Sequence, residues 1–312
     1  MSDRQLQFAK DITSQVKNAW LSGELLEKVT PTTRNLLTYW FDERYKEVRD
    51  IHFHEGQMQS ILNIIYIHEV LKAKNLMEVY QHFLVDNDAQ LSEITKEKYN
   101  YPKYCVKMAT GTGKTWVLSA VLIWQYLNAK YEQGNYSKNF LVVAPGLIVY
   151  ERLLDAFMGK EREIGGGRDF EKSDIYLTRE LFLPETYQQE VFGFFKSSVL
   201  RKDEIGTKVT GDGLIAVTNW HLLAGVEDEF ESEDEVDAPG ITDPTKIIKS
   251  ILPARPGTSA GNDLNTLDNA YGKGKELEFL KSLSDLVVFN DEAHHIHEVK
   301  KAGEITEVEW QK

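Results

Sequence analysis

The chain has 312 residues, 42% of them hydrophobic and 27% charged, with a net charge of -13 and a single cysteine. That balance supports a sizeable core in one large domain or two modest ones and excludes a disordered chain. One cysteine excludes an internal disulfide and fits a reducing, cytoplasmic setting, and the longest apolar run, 117–127, is well short of the ~20 residues that span a bilayer.

From the N-terminus, "MSDRQLQFAKDITSQVKNAW" mixes charges with apolar positions and lacks the apolar centre of a secretory signal. Leu6, Ala9, Ile12, Val16, Ala19 and Trp20 share one helical face. Thr30 and Pro31 open a second helix, and Ile61, Ile64, Ile65, His68 and Leu71 repeat at helical spacing. Residues 1–50 are therefore expected to form a helical region ahead of a main domain over 51–312. The period changes at "YPKYCVKMA" (101–109), which predicts a strand running into a turn, with Cys105 as a core residue rather than a nucleophile. A helix follows in "TWVLSAVLIWQYLNAKY", then a buried strand in "NFLVVAP" (139–145), then a helix in "LIVYERLLDAFM". "GLIAVTNW" (213–220) and "SDLVVFNDEA" (284–293) predict two further strands. Continuous apolar strands alternating with helices predict an α/β fold, a mostly parallel sheet with helices on both faces. The stretches 160–212 and 227–280 read as insertions, and 227–237 carries eight acids and no base, the pattern of a solvated loop. No internal repeat is visible.

Gly113, Lys114 and Thr115 fill the last three places of the phosphate-loop pattern G-x-x-x-x-G-K-[ST], while its first place holds Met108. Within Thr110, Gly111, Thr112 and Gly113, the two glycines still allow a tight turn that points N–H groups at phosphate oxygens. Lys114 is expected to bridge the terminal phosphates of ATP, and Thr115 to offer its hydroxyl to Mg2+. The helix that follows adds the positive end of its dipole. In "DLVVFNDEAHH", Asp291 is expected at the carboxyl end of a buried strand, holding Mg2+ through water. Glu292 is expected to orient the attacking water and take its proton. His294, His295 and His297 share no single face and have no cysteine pair nearby, which argues against zinc; His294 reads instead as a coupling residue towards a neighbouring domain.

"MATGTGKT" with "NDEAHH" resembles motifs I and II of superfamily 2 DEAD/DEAH-type helicases, and within that group the chain resembles the ATP-dependent subunit of type III restriction enzymes. "FHEGQMQSILNII" (53–65) is similar to the upstream glutamine motif, which makes Gln57 the expected reader of adenine. "LVVAPGLIVYERL" (141–153) resembles motif Ia, and "VTNWHLL" (217–223) a later strand-end motif that touches nucleic acid. Pro145, Gly146, Arg152 and Thr218 are the nucleic-acid contacts these two stretches imply. The resemblance covers about residues 50–300. It implies a RecA-like P-loop NTPase domain acting as a nucleic-acid-dependent ATPase. The work implied is DNA translocation in a type III restriction-modification-like system, on double-stranded DNA ahead of RNA, with a modification subunit as partner. In the family a second RecA-like domain carries the arginine finger; none is read within 1–312, so the chain is expected to be a weakly active part of a longer protein. Two other readings stay open: a repair or remodelling helicase with the same core, and a non-catalytic nucleotide-binding interaction module. The acidic net charge and the second RecA-like domain not read within 1–312 are the support for the latter.

Overall fold

A computed structural model describes residues 3–83, 100–109, 111–162, 167–219, 276–291, 299–301 and 304–306. Its centre is a sheet of four parallel strands, β1 (Asn139–Ala144), β2 (Val199–Leu200), β3 (Leu214–Asn219) and β4 (Leu286–Asn290), in the order β2-β3-β1-β4. Val143 of β1 lies opposite Thr218 on one side and Asn290 on the other, so three strands end level. A separate antiparallel pair joins Val299–Lys301 to Glu304–Thr306.

The unbroken apolar runs have a direct cause. Phe140, Val142 and Ala144 face the main core with Ile215, Val217, Val287 and Phe289. Leu141 and Val143 face a second cluster with Leu214, Ala216 and Leu286, joined by Leu280 from the helical residues 276–282. A parallel sheet covered on both faces needs apolar side chains at every position.

Among the described residues, six helices of 11 to 19 residues shape the rest: α1 (Asp3–Leu21), α2 (Pro31–Phe41), α3 (Glu55–Ile65), α4 (Lys114–Tyr131), α5 (Leu147–Met158) and α6 (Glu185–Ser198). The Thr30 hydroxyl accepts the Thr33 N–H and Pro31 occupies the first turn of α2, as its start signal predicted. α4 is buried almost all round, from Val117 to Asn128, which explains its nearly uniform hydrophobicity. The helical spacing over 56–71 holds only to Ile65; Tyr66–Val70 continue as a π-helix. The wider winding leaves Tyr66 and Glu69 buried.

Residues 101–109 correct the prediction. They form no strand, and Cys105 is exposed rather than in the core. Lys103, Cys105 and Lys107 alternate with Tyr104, Val106 and Met108, so one face at most is apolar. Such a segment cannot replace a strand buried on both faces.

The stretch 160–212 supplies α6 and β2, and Phe194 of α6 stacks on Tyr126 of α4 with ring centroids 3.9 Å apart. It is thus woven into the sheet and its cover. The acid run 227–237 and most of 227–280 lie outside the described residues. Among the described residues no helix is long and apolar enough to cross a membrane.

Candidate functional site

Thr112 closes a tight turn by donating its N–H and its hydroxyl to the Ala109 carbonyl, at 3.3 and 2.6 Å. Gly111 (φ +78°) and Gly113 (φ +75°) both sit in the left-handed region, which glycine reaches at least cost. α4 begins at once with Lys114, and no side chain caps it. The positive end of an eighteen-residue helix is therefore presented at the end of this turn. Lys114 and Thr115 are half-buried in its first turn. Beside the turn lies a cleft of about 340 Å³ lined by His54, Gly56, Gln57, Met108, Gly111 and Thr112.

Gln57 joins the two sides of that cleft. It is 1% exposed, its Oε1 accepts the His54 N–H at 2.8 Å, and its Nε2 donates to the Thr112 and Gly113 carbonyls at 3.1 and 3.2 Å. Both amide hydrogens are engaged, which leaves one lone pair of Oε1 for a ligand. In this arrangement Gln57 can accept from a base edge but cannot also donate to it. Spacing in the sequence gave no sign of this tie, because it spans 55 residues.

The same geometry makes Gly113 sensitive. A Cβ there would stand 2.3 Å from Gln57 Nε2. Gly113→Ala is expected to cost about 1–2 kcal/mol from left-handed strain alone, with a further loss as Gln57 leaves its carbonyls. Urea unfolding of the variant measures it; an unchanged midpoint would show that the loop has no need of glycine at this place.

The carboxyl end of the sheet collects a second group. The Asp291 N–H donates to the Val143 carbonyl at 3.0 Å, so Asp291 extends the β1–β4 ladder by one residue and is held at the strand end. Ligands of open α/β sheets bind on that side. Asn219 Nδ2 and Asn290 Oδ1 are buried there without a hydrogen-bond partner, on the strands to either side of β1. Buried orphan polar atoms are uncommon in folded proteins and point to groups that a ligand or water completes. Neither residue was singled out from the sequence; an asparagine closing each of two apolar strands was the available signal.

Pro145 and Gly146 follow β1 on the same side. Gly146 is extended, leaves the start of α5 without a side-chain cap, and has nothing within 4 Å of where a Cβ would sit. Arg152 is exposed on α5. Thr218 is fully buried in β3, its hydroxyl donating to the Asn219 carbonyl at 3.3 Å. Thr110, Glu292 and His294 lie outside the described residues. Gln57, Gly111 and Thr112 thus line one cleft, with the Gly113 carbonyl bonded to Gln57, while Pro145, Gly146, Thr218 and Asp291 share the carboxyl end of the sheet.

A family model described as the type III restriction enzyme res subunit matches residues 50–311. No curated protein and no solved structure matches the chain.

Proposed function

The chain belongs to the family of the type III restriction enzyme res subunit, and from that premise we propose that it is the ATP-hydrolysing motor domain of a DNA translocase serving a restriction system. The helicase-like ATPase character comes with the family; the DNA substrate, the restriction role and the duties of single residues are the proposal. One observation carries it: two left-handed glycines lead straight into an uncapped helix whose first residue is Lys114.

The residues present fit a magnesium-bound triphosphate. Gly111 and Gly113 open the backbone, the start of α4 favours an anion, and nothing lies within 4 Å of a Cβ built at Gly111. On the other side of the reaction, Asp291 is fixed at a strand end next to the orphan acceptor Asn290 Oδ1. We assign the terminal phosphates to Lys114 and the loop amides of residues 110–115, and the metal to Thr115 and Asp291. Magnesium held there would supply positive charge that offsets the charge of the phosphates. Glu292 then holds the attacking water and accepts its proton. Gln57 keeps the loop carbonyls in place and leaves one acceptor for the base. Pro145, Gly146 and Arg152 face the DNA backbone, Thr218 supports them from within β3, and His294 links the nucleotide side to the rest of the motor. A modification subunit is the partner this reading implies.

Turnover of Mg-ATP, measured with and without double-stranded DNA, single-stranded DNA and RNA, tests the reading. The expected result is slow basal hydrolysis that double-stranded DNA raises most. Binding of Mg-ATP that no nucleic acid converts into faster turnover would replace the motor with a passive nucleotide-binding module. Stimulation by DNA without any coupling to a modification subunit would favour a repair or remodelling helicase.

A further inference from the structure

Helix α4 carries a polar stripe on a mostly apolar surface. Trp124, Asn128 and Glu132 follow one another at four-residue intervals, so they line one face at and just beyond its C-terminal half. The first turn of α2 meets that stripe. Thr30 donates its hydroxyl to Asn128 Oδ1 at 2.6 Å, Thr32 donates its N–H and hydroxyl to Glu132 Oε1 at 2.9 and 2.6 Å, and Asn128 Nδ2 donates to the Thr33 hydroxyl at 3.0 Å. Glu69, 5% exposed in the π-helix, closes the group. Its Oε1 accepts from Trp124 Nε1 at 2.8 Å and from the Thr33 hydroxyl, and its Oε2 accepts from the Thr30 N–H at 3.0 Å. Burial, and then the nearby Glu69, push the Tyr136 hydroxyl well above its usual pKa, in keeping with a dry and electronegative pocket.

A buried carboxyl group satisfied by three donors is costly to assemble and to disturb. Here all three donors come from two elements, the Thr30–Thr33 turn and α4. Thr30–Thr33 lies ahead of the matched family segment, which begins at residue 50. The helix it grips is the one that presents Lys114, about 15 Å along the axis from Trp124 at the usual helical rise.

We propose that Glu69 and the Thr30–Thr33 turn are positioning residues for the phosphate loop: they fix the rotation and reach of α4, and so make the N-terminal helical region a working part of the motor. The role in nucleotide binding rests on the function proposed above; the grip on α4 does not.

The test uses the 312-residue chain with Trp124→Phe and with Glu69→Gln, which keep most of the bulk and remove a donor or an acceptor. Arg168→Met is the comparison. Arg168 is a hydrogen-bonded cation that donates to Asp155 at 2.5 Å and to the Gly159 carbonyl at 3.0 Å, next to α5 rather than α4. Hydrogen exchange in nucleotide-free protein should rise about tenfold at residues 114–120 in the first two variants and stay unchanged there in Arg168→Met. The Kd for Mg-ATP should rise about tenfold in the same two variants only. Thr32→Ala, which removes one hydroxyl and one methyl group, gives a milder version of both effects should either variant fold poorly. Equal exchange at 114–120 in all variants overturns the grip on α4. Faster exchange with an unchanged Kd overturns the positioning role. A wild-type chain that shows the exchange pattern but binds no Mg-ATP overturns the nucleotide reading and leaves the grip standing.

Discussion

Lys114→Ala raises the Kd for Mg-ATP about 10- to 100-fold. The cause is electrostatic. A charge-assisted hydrogen bond contributes about 1.5–3 kcal/mol, and each 1.4 kcal/mol is a factor of ten. The loop amides and the start of α4 remain in the variant, so weak binding survives at high nucleotide concentration. Lys114→Arg restores the charge but not the compact ammonium, and is expected to recover only part of the affinity, because a planar fork does not fit where a point charge sat. Titration of a fluorescent ATP analogue, with circular dichroism to confirm folding, measures both. An alanine variant that binds as tightly as the parent would remove the basis for reading residues 110–115 as a phosphate cradle.

Glu292→Gln lowers turnover by about 100- to 10,000-fold, the range for loss of a general base, while the Kd for Mg-ATP stays within a few-fold. The amide keeps the size and one acceptor of the carboxylate but cannot take up a proton. Asp291→Asn is expected to behave differently: with the metal ligand weakened, binding and turnover fall together. Phosphate release under single-turnover conditions separates the two variants. If Glu292→Gln loses binding rather than turnover, the acid following Asp291 belongs to the metal site and the water-activating group must be sought elsewhere.

The legible parts of the fold share a physical reason. β1 and β3 were visible because a strand covered on both faces must be apolar at consecutive positions, and Phe140–Ala144 and Leu214–Val217 meet that demand; Leu286–Phe289 of β4 are equally apolar, although Val288 is exposed. α2 was visible from Thr30 and Pro31 because capping is a local matter. The loop was visible in the same way: left-handed turns and an uncapped helix start are properties of adjacent residues, and Gly111, Gly113 and Lys114 are adjacent or nearly so.

Residues 101–109 mark the limit of a local pattern. Tyr104, Val106 and Met108 alternate as a strand should, yet 101–109 pairs with nothing among the described residues. Strand propensity needs a ladder partner, and no local pattern names one. β2 was overlooked for the opposite reason, since two residues are too few to show a period.

Local order alone therefore specified the apolar strands, the helix starts and the glycine hook, since each depends on neighbours along the chain. The packed molecule assigned partners. It turned Gln57 onto the Thr112 and Gly113 carbonyls, set Asn219 and Asn290 on either side of β1, and buried Glu69 between Thr30 and Trp124. Those contacts join residues 39 and more apart or lie across separate strands. Hydrogen bonds of that kind form only when burial has already excluded water and fixed both ends, so no spacing in the chain announces them.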